Sequence, residues 1–444
     1  MLRRFEWLGH QKSLRGNPQL MASFADDISL APVSTTAASF AVGYFANSPE
    51  KQPNKNWHDL PATELEVRWV DEVDELVDLV PAWNRLAECC LCPNIFYEPQ
   101  LFIPAWRHLR HGNVRVAIVQ AAQRAQPGAP KVLCGILPLE LHRTTHGLPL
   151  RSAKLWQHLH CFLTTPLLRS DYAQETLTGL FEFLREDGVG ILNLPCVSAE
   201  GPFQHALIDF VRDRNLAWQL KDVFRRALFV RKESDEAFME DWPRKRRHEL
   251  NRLERRLDEA GKLVIEEFHV GDDSELFAEH FLALEAMGWK GLEGTAMSKT
   301  QSQARFLKEA MLELASENRL MGLTLRLDDV PVAMKANFLT HNGGFAFKIA
   351  YHPEWAKFSP GAILEKLNVT KLHETGRVQW MDSCATPDHP MINTLWPDRR
   401  VLQSVAISTG RRGSRAAIAA LPLMKYARDW TADLKSKLTN RSRS

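Results

Sequence analysis

The stretch that decides the fold is FAFKIAYHPEWAKFSPGAILEKL, residues 345–367. Its first part alternates apolar residues as a strand does, so four side chains should share one strand face: Phe345, Phe347, Ile349 and Tyr351. Its second part starts a helix. Ser359 is a plausible N-cap, Pro360 suits the first helical position, and the helix should run over 361–375 and end at Gly376. The stretch therefore predicts a strand that leads directly into a helix.

The same unit extends on both sides of this stretch. Residues 320–327 alternate leucines with polar residues, Asp328-Asp329 supplies a turn, and residues 330–339 return as a second strand. Asn342-Gly343 is a hairpin signal, because both residues tolerate a positive φ. Periodicity predicts further elements: a strand at 378–382 and helices at 244–260 and 274–287. The unit is three antiparallel strands, a helix and one more strand.

The first half of the chain repeats this order. Its predicted elements are a helix at 71–87, strands at 114–120 and 131–142, a helix at 172–188 and a strand at 189–195. We interpret the repeat as a diverged internal duplication with an insertion around 143–170. The alternative is that a common mixed pattern occurs twice by chance. The predicted fold class is α/β (α+β), with tandem halves that each hold a mixed, mainly antiparallel sheet flanked by helices.

The composition, 45% hydrophobic and 25% charged over 444 residues, is that of a soluble globular protein. The last 34 residues carry a net charge of +7 and leave −5 for the rest, so the body is not a general polyanion binder. Seven scattered cysteines without paired CxxC units fit a reducing compartment and argue against structural zinc. No run approaches the roughly 20 apolar residues of a membrane span. We therefore predict a cytoplasmic protein without a transmembrane segment or a metal.

The patterning also sets the predicted domain boundaries. They delimit a flexible leader (1–62), an N-terminal half (63–225), a C-terminal half (226–408) and a basic tail (409–444). The tail has mixed amphipathic character, so it could contact an anionic membrane surface or a partner, although such tails are more often solvated.

One basic stretch, WPRKRRHELNRLERRLDEAG at residues 242–261, raises the question of nucleic-acid binding. A nucleic-acid site needs a coherent basic face, and the negative charge of the body argues against one. The buried stripe of this helix follows a helical spacing: Trp242, Arg246, Leu250, Leu253 and Leu257. Arg246 should therefore point inward and is a candidate substrate contact. Three further arginines should be solvated or paired with Glu249 and Glu254: Arg252, Arg255 and Arg256.

The start of the helix after Ser359 is a candidate anion site. A helix N-terminus presents unpaired amides, and Gly361 lets a ligand approach, so the amides of Gly361, Ala362 and Ile363 could hold a pyrophosphate. The alternative is an ordinary capped helix, since Ser-Pro-Gly is good capping chemistry anywhere.

These residues resemble the GNAT-type acyltransferases of the group associated with bacterial cellulose and exopolysaccharide gene clusters. The resemblance covers about residues 65–405 and is most specific from 240 to 385, through RKRRHELNRLERRLDEAGKL, MGWKG, the opening stretch and HETG. The group is also similar to the Fem-type aminoacyltransferases, which carry two GNAT-like halves. The resemblance implies that acetyl-CoA or a longer acyl-CoA lies against the strand ending in Tyr351, with its pyrophosphate on the turn before Gly361.

One departure from the GNAT pattern concerns the phosphate loop. The usual Gln or Arg followed by x-x-Gly-x-Gly/Ala is absent, and residues 357–362 keep only Lys357 at the start and small residues, among them Ser359, near the end. An aminoacyl-tRNA therefore stays open as an alternative donor, and the basic helix would then be its contact.

Acyl transfer needs a base for the acceptor and an acid for the departing thiolate. Tyr351 could protonate the thiolate, with a core aromatic as the alternative. Glu285 is the first choice of base, with an exposed surface glutamate as the alternative. His352, just beyond the strand, and Asp382, at the end of the next strand, are competing bases.

The acceptor wall is predicted near the helix at 274–287. Trp289 could stack on a sugar ring and Lys290 could bind a carboxylate or phosphate, or both could belong to a simple helix end. Lys348 is a further candidate substrate contact. His158, His160 and Cys161 are weak evidence for a metal, because no second ligand pair accompanies them.

The sequence predicts a tandem GNAT-like acyltransferase whose C-terminal half is catalytic. It would move an acyl group from acyl-CoA to an amine or hydroxyl of a small-molecule or saccharide acceptor by direct attack, since no cysteine is in a convincing nucleophile setting. The alternatives are a Fem-like aminoacyltransferase that uses charged tRNA, and a non-catalytic scaffold of a polysaccharide-synthase complex.

Overall fold

The computed structural model describes residues 63–123, 131–145 and 148–421. The predicted leader (1–62) and most of the predicted tail (422–444) lie outside the described residues. The strands of the described part are β1 (Thr63–Val70), β2 (Val114–Gln123), β3 (Val132–His142), β4 (Ser152–Leu155), β5 (Leu167–Leu168), β6 (Ile191–Ser198), β7 (Trp218–Val230), β8 (Leu263–Glu267), β9 (Leu320–Leu327), β10 (Val330–Leu339), β11 (Gly343–Tyr351), β12 (Trp380–Asp382) and β13 (Asp398–Ser408).

Helices cover both faces of the sheet that these strands form. Those of the described part are α1 (Val73–Asp78), α2 (Val80–Glu88), α3 (Pro99–Leu109), α4 (Ala173–Glu186), α5 (Gly201–Asp213), α6 (Asp235–Met239), α7 (Arg244–Asp258), α8 (Ser274–Met287), α9 (Trp289–Leu292), α10 (Gln301–Ser316), α11 (Pro360–Thr375) and α12 (Ile392–Leu395). A last helical stretch begins at 414. No described helix has the length and apolar character that crossing a bilayer requires.

The two halves of the chain build the same arrangement of strands. In the first half, β3 pairs antiparallel with β4, and α4 then leads to β6, which pairs parallel with β4. In the second half, β10 pairs antiparallel with β11, and α11 leads to β12, which pairs parallel with β11. The repeat of antiparallel strand, strand, helix and parallel strand confirms the predicted α/β fold with tandem halves.

The halves exchange their last strands. All strands of the described part join one sheet, in the order β1-β2-β3-β4-β6-β13-β7-β12-β11-β10-β9-β8, with β5 beside β3. β13, from the end of the second half, lies between β6 and β7 of the first half, and β7 pairs with β12 of the second half. The predicted boundary at 225/226 falls inside β7. The sheet is therefore continuous across this boundary.

The basic helix α7 follows its predicted periodicity. Its buried side chains are Leu250, Leu253 and Leu257, and Trp242 just before it is buried too. Arg252 pairs with Glu249, as predicted, through Nη2 and Oε1 at 2.8 Å. Glu254 differs from the prediction, because it pairs with Lys366 of α11 at 2.6 Å. The buried stripe and these pairs place α7 against α11 in the body of the protein.

Candidate active site

The candidate site lies where β11 and β12 separate. The two strands pair in parallel only between 343–345 and 380–382, and β11 then continues to Tyr351 without β12 beside it. A gap beyond the carboxyl ends of parallel strands is a favoured place for ligands in α/β sheets. A cleft lies at this end of β11, between the strand and the end of α8. It is lined by Leu284, Glu285, Gly288, Lys290, Ile349, Ala350 and Tyr351.

A β-bulge in β11 decides which side chains face α8. Ala336 of β10 is opposite Lys348, and Asn337 is opposite Ala346, so Phe347 is the extra residue on β11. A single inserted residue changes the alternation of side chains beyond it. The prediction that Phe345, Phe347, Ile349 and Tyr351 share one face is therefore wrong. Lys348 lies on the face of Phe345, and Tyr351 lies on the opposite face.

Glu285 connects the cleft to two lysines. It is 2% exposed, near the end of α8, so it is not the exposed surface glutamate of the alternative interpretation. Its Oε1 accepts from Nζ of Lys290 at 2.9 Å and from Nζ of Lys348 at 3.5 Å. Its Oε2 accepts from the amide of Met297 at 2.8 Å. Glu285, Lys290 and Lys348, predicted separately, thus form one cluster with more positive than negative charge.

Burial and charge set the pKa values within this cluster. Burial would raise the pKa of Glu285, but Lys348, Lys290 and the Met297 amide outweigh it, and the pKa lies below its usual value. Burial, followed by the charge of Lys290, lowers the pKa of Lys348 to about 8, although Glu285 opposes the shift. Glu285 is therefore a stable anion, and Lys348 is an ammonium that loses its proton near neutral pH.

The insertion in the first half places His160 against β11 and α10 of the second half. His160 lies in the segment of the chain that joins β4 to α4, and its side chain is buried. Its Nε2 lies 2.9 Å from Oε1 of Gln303 on α10. Its ring is stacked on Phe306 at 5.9 Å and lies 6.3 Å from Phe347. Burial lowers the pKa of His160 to about 3, so its ring is neutral. Sequence analysis considered this histidine only as a metal ligand and missed its contact with the second half.

No group of three or more histidine, cysteine, aspartate or glutamate side chains is arranged to hold a metal ion in the described part of the chain.

Tyr351 and His352 lie at the end of β11. Tyr351 is half-buried and lines the cleft. Its ring also packs towards α11, because Cδ1 of Tyr351 lies 3.6 Å from the position that a Cβ at Gly361 would take. The amide of His352 donates to the carbonyl of Val332 at 2.9 Å, while its Nδ1 is buried without a hydrogen-bond partner among the described residues. The structure therefore brings Tyr351 to both the cleft and the helix start.

The contacts of Asp382 differ from those of a general base that is open to a substrate. It is fully buried, and its Oδ2 accepts from Arg226 of β7 at 2.6 Å and from Arg400 of β13 at 2.9 Å. Its Oδ1 accepts from the amide of Cys384 at 2.9 Å. Burial would raise its pKa, but the two arginines outweigh burial and lower it. This carboxylate joins three strands and has no free oxygen for an acceptor.

The start of α11 matches the predicted position but not the predicted cap. The helix begins at Pro360, whereas Ser359 has a left-handed backbone (φ 53°) and its side chain makes no capping hydrogen bond. The amides of Ala362 and Ile363 donate to the carbonyl of Ser359 at 2.9 and 3.1 Å. Two of the three amides predicted to hold a pyrophosphate are therefore already hydrogen-bonded within the chain.

Cations lie beside this helix start. Lys357 is exposed, and its Nζ lies 5.0 Å from the ring centre of Phe358. Arg256 of α7 is exposed too, with its Cζ 5.7 Å from the same ring. Arg246 lies nearer the start of α7 than Arg256 does. It is half-buried, and its Nε has no partner among the described residues. The predicted contact Trp289 belongs to α9, but its side chain lies outside what the structure describes.

Comparison with known proteins points to one domain type. Residues 244–389 match the family model described as an acetyltransferase (GNAT) domain. No curated protein sequence matches the chain.

Three solved structures are among those similar to this chain. They are FemX (9% identity, 77% of this chain and 96% of that chain, TM-score 0.49), a tandem GNAT protein from the clavulanic acid biosynthesis pathway (13%, 78% and 99%, 0.40) and the C-terminal domain of a putative lysylphosphatidylglycerol synthetase from Agrobacterium fabrum (11%, 77% and 95%, 0.45). Similarities at this level of identity say nothing of a substrate.

Proposed function

We propose a donor and an acceptor for the acyl transfer of this protein. Residues 244–389 match a GNAT acetyltransferase domain, so the protein is the acyltransferase that its sequence predicts. The donor is acetyl-CoA or a longer acyl-CoA, and the acceptor presents an amine or hydroxyl group. The C-terminal half carries out the transfer, and the insertion of the first half completes the acceptor side of the cleft. The resemblance stated above favours a saccharide or cell-envelope acceptor.

The observation that carries this proposal is the cleft at the end of β11. It is lined by the buried carboxylate of Glu285, by Lys290 and by Tyr351, which packs next to the start of α11, and Lys348 contacts the same carboxylate. Acyl transfer needs charged and proton-donating groups at fixed positions around the reacting carbonyl. An acyl carbonyl that enters between β11 and β12 would reach these groups from the open edge of β11.

The reaction proceeds by direct attack of the acceptor on the thioester. A cysteine nucleophile must be a thiolate, which requires a lowered pKa. Burial instead raises the pKa of the Cys161 thiol and of the Cys384 thiol, the cysteines nearest in sequence to His160 and Asp382. None of the residues that line the cleft is a cysteine. Tyr351 is assigned to donate a proton to the departing thiolate.

The donor phosphates are assigned to the turn before α11. Because the Ala362 and Ile363 amides are engaged, the side chains of Lys357 and Arg256 would supply most of the positive charge, together with the amide of Gly361. This departs from the GNAT loop, in which backbone amides carry the pyrophosphate. An aminoacyl-tRNA is the second candidate donor, because the first residues of α7, Arg244 and Lys245, are exposed and basic.

Calorimetric titration with acetyl-CoA and longer acyl-CoAs tests the donor, with Gly361→Asp and Gly361→Ala as matched variants. A Cβ at Gly361 would lie 3.6 and 3.7 Å from its nearest atoms, which is ordinary contact, so the alanine variant should bind as the parent does. The aspartate variant should bind about tenfold more weakly or worse, since like charges about 4 Å apart repel by about 1 to 4 kcal/mol.

Two outcomes would count against an acyl-CoA donor. Equal affinity of the aspartate and alanine variants for acyl-CoA would show that the donor phosphates do not bind at this turn. A parent protein that binds no acyl-CoA but retains charged tRNA would favour the aminoacyltransferase. Transfer of label from acyl-CoA to a panel of amines and alcohols then identifies the acceptor class.

A further inference from the structure

We propose that Lys348 accepts the proton from the attacking acceptor group and that Glu285, the base predicted from the sequence, is a positioning residue. This inference rests on the proposed function, because it assigns a role in the same acyl transfer. It concerns a group on β11 that sequence analysis considered only as a substrate contact.

The position of Lys348 follows from the bulge at Phe347. The bulge turns Lys348 to the face of β11 that α8 covers, with its Nζ 3.5 Å from Oε1 of Glu285 and 5.9 Å from the ring centre of Phe347. Its side chain is 13% exposed and adjoins the cleft through Glu285, which lines the cleft and contacts Nζ of Lys348. Lys348 thus stands beside the gap where β11 has no neighbouring strand.

The contacts of Glu285 leave it little capacity to act as a base. Both carboxylate oxygens already accept hydrogen bonds, from the side chains of Lys290 and Lys348 and from the Met297 amide. A carboxylate stabilised by two cations holds a proton weakly. What Glu285 does is orient the two lysines and balance part of their charge.

The groups around Lys348 adjust its proton affinity to a useful range. Glu285 faces it from α8, Lys290 from α9 and the neutral ring of His160 from the insertion of the first half. Burial and Lys290 bring the pKa of Lys348 down to about 8. Enzymes use lysine as a general base when its pKa is lowered towards the working pH in this way.

The transfer forms one bond, breaks one bond and moves one proton to Lys348. The acceptor nitrogen or oxygen attacks the thioester carbonyl carbon, and its proton moves to the neutral Nζ of Lys348. The new C–N or C–O bond remains when the C–S bond breaks and its electron pair leaves with the sulfur. The sulfur takes a proton from the Tyr351 hydroxyl, which regains one from solvent. The resulting Lys348 ammonium is balanced by Glu285, and it returns the proton to solvent before the next turnover.

The pH dependence of kcat/KM tests this role through two neighbours. The parent should show a rising limb with a midpoint near pH 8, because only neutral Lys348 accepts a proton. Glu285→Gln removes the anion that raises the pKa of Lys348, so the limb should move to lower pH. Lys290→Met removes the cation that lowers it, so the limb should move to higher pH. A merely structural role would not produce opposite shifts.

Direct replacement of Lys348 completes the test. Lys348→Met and Lys348→Arg should both lose about 100-fold or more of kcat, the usual contribution of a general base, because arginine stays protonated. Lys308→Met on α10 is the matched control, since it removes a lysine that is 31% exposed and paired with Glu279, and it should keep the parental profile. Rescue by arginine, or a parent limb only below pH 5, would overturn the proposal.

The same variants separate this inference from the proposed function. Acyl-CoA binding by calorimetry and circular dichroism spectra should be parental in the Lys348 variants. A parent that neither binds nor uses acyl-CoA would refute the proposed donor. A parent that transfers acyl groups without a limb near pH 8 would refute only the role of Lys348.

Discussion

Asp382→Asn is expected to lower the free energy of unfolding by about 3 to 5 kcal/mol, because it removes the counter-charge of two buried guanidinium groups. Arg226 and Arg400 are 3% and 0% exposed, and both bind the Asp382 carboxylate at 2.6 to 2.9 Å. The asparagine has nearly the same shape, so the change removes charge and little volume. Urea denaturation at pH 7, followed by circular dichroism, measures the difference.

A partly exposed ion pair provides the control for this measurement. Asp71 binds Arg115 at 2.6 Å with side chains 43% and 31% exposed, and Asp71→Asn should cost less than about 1 kcal/mol. If Asp382→Asn costs no more than this control, the buried cluster does not need its charge, and its arginines are stabilised by other contacts.

The loss of free energy of unfolding at acidic pH should also depend on the Asp382 carboxylate. The folded-state pKa of Asp382 is lowered by Arg226 and Arg400 against the effect of burial. A lowered folded pKa contributes stability that is present above the unfolded pKa of about 3.9 and is lost as the pH falls through the folded value. The parent should therefore lose stability faster than Asp382→Asn below about pH 4.

Local signals explain what the sequence predicted well. The Asn342-Gly343 turn, the alternation through 320–339 and the helix closed by Gly376 all depend on residues within a few positions of each other, and the structure has β9, β10, β11 and α11 at these places. The basic helix was interpreted correctly for the same reason, since the spacing of its leucines identifies its buried face.

Long-range pairing explains what the sequence analysis missed. β7 and β13 were not predicted, and they lie about 180 positions apart in the chain while forming one antiparallel ladder. The first part of β7 is largely exposed, so it lacks the alternating burial that marks a strand. The exchange of these strands is a property of the assembled sheet and has no local pattern.

The site shows the same division. Glu285, Lys290, Lys348 and Tyr351 were selected one at a time. The structure brings Glu285, Lys290 and Tyr351 to one cleft and places Lys348 in contact with Glu285. Sequence alone did not reveal the bulge that places Lys348 against Glu285, because a bulge depends on the register with β10. Nor did it show that the pairing of Asp382 with two arginines closes that residue to an acceptor.

The exchanged strands predict that neither half folds alone. The chain can be cut between Lys232 and Glu233, after β7 and before the Ser234 side chain that caps α6, to give fragments 1–232 and 233–444. The first fragment lacks β13, which lies between its β6 and β7, and the second lacks β7, the neighbour of both β12 and β13. Each fragment alone would expose long unpaired strand edges, which favour aggregation.

Co-expression should restore what separate expression loses. Because β7 pairs with β13 from Trp218 to Leu228, the two fragments share the centre of the sheet and should co-purify as a folded 1:1 complex. Solubility, circular dichroism and size-exclusion chromatography distinguish the cases. If either fragment folds alone with a cooperative unfolding transition, its half would be an independent domain, as the boundary at 225/226 implies, and the strand exchange would not be required for folding. Acyl-CoA binding by the complex, with none by either fragment alone, would instead show that binding needs both halves, since His160 of the first fragment packs against Gln303 and Phe347 of the second.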